Sequence, residues 1–134
     1  MNLTKKLSLQ KPLMLLALII IAAVSCPTFL TPSNILSILL AVCIYGVMAC
    51  GTIFPLLNGG IDLSIGSVAA LSGSVMVLVT IASGYSTGGT ILGIVLGLLA
   101  GTACGALNGL ISYYFALPAI VVTLAMKNII LGVT

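Results

Sequence analysis

The sequence predicts an all-α, polytopic integral membrane protein, and three observations carry that prediction. Only five of the 134 residues are charged, four Lys and one Asp, whereas soluble domains carry about 25% charged residues. Hydrophobic residues make up 61% of the chain, so too little polar surface exists to cover a water-soluble fold. Apolar runs close to the roughly 20 residues that cross a hydrocarbon core as helix recur between clusters of Pro, Gly, Ser and Asn. About five transmembrane segments are expected, including a glycine-rich helix and a helix break at 58–64.

Residues 1–12 carry Lys5, Lys6 and Lys11 and are expected to form a cytoplasmic amino-terminal segment, because retained loops are enriched in Lys and Arg. These lysines precede the first apolar run and so make no nucleic-acid-binding face. A membrane domain then fills 13–134. Its first span is expected at 13–30, ended by Pro27 and by Thr31-Pro32-Ser33-Asn34, with Ser33 or Asn34 capping the next helix. The run Ala23-Val24-Ser25-Cys26 behind three lysines also resembles a lipoprotein signal. Such a signal normally releases a soluble domain, whereas here Pro27 and further spans follow.

The second span is expected at 35–57, with Pro55 unwinding or kinking its last turn. The break 58–64, Asn-Gly-Gly-Ile-Asp-Leu-Ser, supplies the residue types a turn into a new helix needs. The third span is expected at 65–82, an uncharged loop at 83–90, the fourth span at 91–115 and the fifth at 118–134. Counted from a cytoplasmic amino terminus, 27–34 and 83–90 face outward, and 58–64 and 114–119 face inward. The fifth span holds Lys127 and Asn128, and a mid-membrane lysine costs about 2.5–3.5 kcal/mol unless it snorkels or meets a wet interior. That marginal span, with no polar tail after Thr134, leads us to expect a truncated chain.

Glycine recurs every fourth residue at 89, 93, 97, 101, 105 and 109, which places these positions along one ridge of the fourth span. Such a ridge lets a neighbouring helix approach closely, so Gly93, Gly97, Gly101, Gly105 and Gly109 are expected to pack helices. Gly66, Ala70 and Ser74 repeat the device on the third span. Asp62, the lone acid, has two compatible roles: a cap in which it or Ser64 accepts from free N–H groups, or a carboxylate lining a polar path at an interrupted helix. Asn108, and Asn128 with Lys127, are the remaining polar groups at membrane depth and serve most often as interhelical glue. Cys26, Cys43, Cys50 and Cys104 have no metal-ligand spacing and no histidine to join them, so they are expected to be small buried hydrophobes. No nucleotide-binding loop, metal cluster or acyl-transfer constellation is present. No catalytic, metal or cofactor residue is therefore expected, and energy for any transport must come from a partner subunit or an ion gradient.

The block Asn58-Gly59-Gly60-Ile61-Asp62-Leu63-Ser64-Ile65-Gly66-Ser67 closely resembles the hallmark of permease subunits of bacterial ABC importers for monosaccharides, the ribose, xylose, arabinose and galactoside group. Phe29-Leu30-Thr31 through Asn34-Ile35-Leu36, Gly105-Ala106-Leu107-Asn108-Gly109, and Leu117-Pro118-Ala119-Ile120-Val121-Val122-Thr123-Leu124 ending at Gly132 match in order and spacing. The resemblance implies a multi-pass subunit of the bacterial inner membrane. It would pair with a second permease subunit in the bilayer, receive sugar from a periplasmic sugar-binding protein, and couple to a cytoplasmic ATP-binding subunit. Asn58, Gly59, Gly60, Asp62, Ser64, Asn108, Pro118 and Thr123 then become candidates for the translocation path or its supporting motif. Family members run to more than twice this length, so the chain resembles an amino-terminal half. Ala125 and Leu131 replace a glycine and an arginine often found in the fifth segment, and Lys127 takes a position usually apolar.

Two rival readings stand beside this one. A small homodimeric transporter driven by an ion gradient would use Asp62 as its proton-binding carboxylate, although Asp62 lies in a glycine turn rather than on a helix face. A truncated remnant would insert into the membrane and transport nothing.

Overall fold

The computed structural model describes the backbone of residues 3–133 and side chains from Gln10 onward. Five α-helices follow one another: α1 (Leu3–Ser25), α2 (Pro32–Leu57), α3 (Ile65–Ala82), α4 (Thr87–Tyr114) and α5 (Ala119–Val133). Among the described residues there is no strand. Three helices, α2, α3 and α4, are long and apolar enough to cross a membrane, while Gln10–Ser25 and α5 are shorter apolar helices.

The chain divides into two compact units, residues 1–45 and 46–134. In the first, α1 begins within the lysine-bearing segment expected to precede the membrane, and it ends at Ser25 rather than near 30. The lysine side chains at 5 and 6 lie outside the described residues. The chain turns at 26–31, where the Phe29 N–H donates to the Cys26 carbonyl (3.0 Å) and the Thr31 N–H to that of Thr28 (3.2 Å). Pro32 opens α2 from its first position, where a missing N–H costs nothing. Asn34, expected as a cap, instead donates its Nδ2 back to the Phe29 carbonyl at 2.7 Å. It ties the turn to the helix from inside the first turn, because α2 begins at Pro32 rather than at the expected 35, and Ser33 likewise lies within α2.

In the second unit α3 packs chiefly on α4, and α5 touches both. Three helices end in the same way. At the end of α2 the Gly59 N–H donates to Leu56 (3.0 Å) and the Gly60 N–H to Pro55 (2.9 Å), with Gly59 left-handed at φ 73°. This is a Schellman closure. Pro55 therefore lies inside a helix that continues to Leu57, and its carbonyl helps to end it. Gly84 (φ 63°) and Ala116 (φ 50°) play the part of Gly59 after α3 and α4. The paired bond in those two closures is Tyr85 N–H to Thr80 (3.0 Å) and Leu117 N–H to Ser112 (3.2 Å).

The start of α4 differs from the expected 91. Ser86 caps it, accepting from the Gly89 N–H at 3.1 Å, so Gly88 and Gly89 are helical rather than loop residues. A Cβ on Gly89 would collide with Ser83 and Ser86, which gives glycine a packing reason there. Burial is inverted relative to a soluble protein. The buried residues are mostly small or polar, such as Gly93, Gly97, Ser67 and Thr123, whereas Leu98, Leu99 and Phe54 are exposed. That distribution suits a lipid surround, where packing of small residues rather than hydrophobic burial joins helices. It also corrects the expectation for the cysteines: Cys26, Cys43 and Cys50 are exposed and Cys104 is half-buried. A lipid-facing position is as apolar as a core.

Candidate functional site

The glycine ridge of α4 has two parts. A Cβ on Gly93 would stand 2.7 Å from the Met76 carbonyl oxygen, on Gly97 2.6 Å from that of Ser72, and on Gly101 2.7 Å from the Ser72 hydroxyl. Real Cβ atoms do not come so close, so these three glycines hold α3 against α4. Their partners are Ser72, Met76 and Thr80, not the Gly66, Ala70 and Ser74 ridge expected from spacing; Gly66 instead lies nearest Met48 of α2. Gly105 and Gly109, expected on the same packing ridge, have nothing within 4 Å of an added Cβ. They line a cavity.

That cavity, about 750 Å³, opens where α2 and α4 end and α3 and α5 begin. Asn58, Gly59 and Gly60 reach it from the end of α2, and Asp62 from the break. Asn108 faces it from α4, and Pro118 and Thr123 from the start of α5. Ser64 stands behind the wall at 1% exposure.

Hydrogen bonds tie these groups across the sequence. After Gly60, whose Cβ position would be only 2.9 Å from the Ala119 Cβ, the chain runs unwound along the start of α5. There the Leu63 N–H donates to Thr123 Oγ1 at 3.1 Å, and the Thr123 hydroxyl lies 3.4 Å from the carbonyls of Ile61 and Ile120. Asp62 Oδ1 accepts from both the N–H and the hydroxyl of Ser64, each at 2.7 Å. The Asn108 Nδ2 in turn donates to Ser64 Oγ at 2.9 Å. Ser64 occupies the N-cap position of α3 but makes no side-chain cap bond, so the expected capping role changes form. Its hydroxyl is committed to Asp62, and Asp62 accepts the Ser64 N–H just ahead of the helix.

Among the described residues one buried side-chain group remains unpaired: Asn108 Oδ1 has no partner, in a residue only 6% exposed. An unmade bond of this kind costs about 1–3 kcal/mol. Asn58 is committed more loosely, donating Nδ2 to the Phe54 carbonyl at 3.2 Å. Ser112 and Tyr113 also line the cavity, and sequence reading missed them. The signal was available: 105, 108, 109, 112 and 113 share one helical face. Lys127 is half-buried and Asn128 exposed, both on α5 away from the cavity lining. Among the described residues no group of three His, Cys, Asp or Glu could hold a metal.

A family model described as branched-chain amino acid transport system / permease component matches residues 34–134. The chain belongs to this permease family. It is accordingly a multi-pass membrane protein. The ribose import permease protein RbsC of Bacillus subtilis (strain 168) is 41% identical over 120 residues, covering 90% of this chain and 36% of the relative. The L-arabinose ABC transporter permease protein AraH of Azospirillum brasilense is 36% identical over 106 residues, or 79% and 30% of the two chains. The xylose transport system permease protein XylH of Escherichia coli (strain K12) is 34% identical over 138 residues, or 97% and 34%. These are permeases of the group that the 58–67 motif resembles. The chain spans about a third of the length of these curated relatives, less than the expected half. No solved structure matches it.

Proposed function

We propose that this permease chain forms part of the membrane path of an ATP-driven importer for a monosaccharide or related small carbohydrate. The observation that carries the reading is the family match across 34–134 together with relatives named for ribose, arabinose and xylose transport. The chain would lie in the bacterial inner membrane with its amino terminus cytoplasmic, which the lysines before the first apolar run support. In that orientation the break and the cavity open toward the cytoplasm. Its partners would be a cytoplasmic ATP-binding subunit, a periplasmic sugar-binding protein and a second permease subunit, identical or different. Transport is then conformational: ATP hydrolysis in the partner alternates access, and this chain contributes wall rather than chemistry.

Asn58, Gly59, Gly60, Asp62, Ser64, Asn108, Pro118 and Thr123 are the residues we assign to the path or its support. Seven of them line one cavity, and Ser64 joins two of these, Asp62 and Asn108, from behind its wall, which supports that assignment. Reconstitution in proteoliposomes with candidate ATP-binding and sugar-binding partners tests the reading. Uptake of ribose, arabinose or xylose that requires ATP is the expected result; failure to associate with any ATP-binding subunit, together with no uptake, would refute it.

A further inference from the structure

The outward surface of α4 changes character twice along its length. Every exposed residue between 91 and 110 is aliphatic or glycine except Thr102, whose hydroxyl is spent on the Leu98 carbonyl at 2.8 Å. Twenty residues of helix rise about 30 Å, the depth of a bilayer's hydrocarbon layer. Aromatic residues stand at both ends of that run. Tyr85 lies just ahead of α4 at 73% exposure, and Tyr113, Tyr114 and Phe115 lie at its far end at 81%, 75% and 71%. The Tyr113 and Tyr114 rings meet edge to face, 5.5 Å apart at 77°, so this corner presents one joined surface. The whole of α4, 28 residues, is about 42 Å long, which is the distance from one headgroup layer to the other. Tyrosine suits that level because its ring is apolar and its tip is polar.

Lys127 on α5 falls into the same frame. The Leu63 N–H bond to Thr123 Oγ1 sets the start of α5 level with the break, and Lys127 is four residues further on, about 6 Å deeper. Asp62, the one acid of the chain, lines the cavity and Lys127 does not; among the described residues no ion pair joins them. Side chains on a helix lean toward its amino-terminal end, and α5 begins where α4 ends. The lysine stem therefore carries its ammonium back toward the level of Tyr114 and Phe115, where phosphates are available and a charge is no longer costly.

We propose that the second unit docks on phospholipid headgroups at both ends of α4: Tyr85 in one leaflet, and Tyr113–Phe115 with Lys127, paired to an anionic phospholipid, in the leaflet at which the cavity opens. The assignment is independent of what the protein transports. It gives Lys127 a counter-ion from the bilayer, and it places the cavity mouth in a headgroup layer with Asn108 just inside the hydrocarbon.

The test uses the full chain in vesicles of phosphatidylcholine with a minor share of phosphatidylglycerol. The sequence holds no Trp, so each Trp variant carries a single fluorophore, and the chosen positions are exposed. Tyr85→Trp and Tyr114→Trp are expected to be quenched about twofold more by lipids brominated near the headgroup than by lipids brominated near the chain end, and Leu99→Trp the reverse. Leu124→Trp, one turn from Lys127, should be quenched more by brominated phosphatidylglycerol than by brominated phosphatidylcholine. Lys127→Gln should abolish that preference and Lys127→Arg should keep it. Deep quenching at 85 or 114 would overturn the proposal, as would a Trp at 114 that neither lipid reaches, the sign of a protein partner covering the corner. A phosphatidylglycerol preference that survives Lys127→Gln would overturn the lipid pairing of Lys127.

Discussion

The two ends of α4 carry one sequence device and put it to opposite uses. From Gly93 to Gly101 the missing side chains are occupied by α3, whose carbonyl and hydroxyl oxygens stand where a Cβ would be. From Gly105 to Gly109 the same four-residue spacing faces empty volume. The difference lies in the neighbour: α3 begins only at Ile65, and beyond its start the facing chain is the unwound break. A glycine ridge thus packs a helix where a helix lies opposite and opens a cavity where the opposite helix is interrupted.

Substitutions along the ridge sharpen that contrast. The largest effect is expected from Gly97→Val, which must push a Cβ against the Ser72 backbone; overpacking of this kind costs about 3 kcal/mol, read as a lower midpoint when helicity is followed through an SDS titration. Thr123→Val removes the acceptor for the Leu63 N–H and should cost about 1–3 kcal/mol in the same titration, without changing its steepness. Ala116→Gly relieves a left-handed alanine and should raise the midpoint by about 1 kcal/mol. Gly105→Ala, with open space around it, should be neutral or stabilising by at most about 1 kcal/mol. If Gly105→Ala and Gly97→Val shifted the midpoint alike, the contrast between the two ends would be lost.

Much of this was legible in the sequence. Composition gave the all-helical membrane class, and Asn58-Gly59-Gly60 with Asp62 located the break, because left-handed turn residues and a lone carboxylate have few other uses between apolar runs. The helix limits were harder. Gly88 and Gly89 read as loop because glycine is a poor helix former, yet at Gly89 close contact with Ser83 and Ser86 favours glycine within the helix. The bond partners were not legible at all. Asn108 and Ser64 are 44 positions apart, and nothing local in either residue says which polar group it will meet. Ser64 looked like a cap because serine commonly is one; its hydroxyl instead donates to a carboxylate two residues earlier and accepts from Asn108.

The meeting of four helix ends at the cavity has an electrostatic consequence. α2 and α4 finish there and α3 and α5 start there, so two termini of about half a negative charge face two of about half a positive charge. Their sum is close to zero, and the full charge left on the wall belongs to Asp62. An anion entering this vestibule meets a like charge and no basic side chain. The charge of this vestibule is thus set by one side chain, and Asp62→Asn would leave a wall with no full charge among its lining residues.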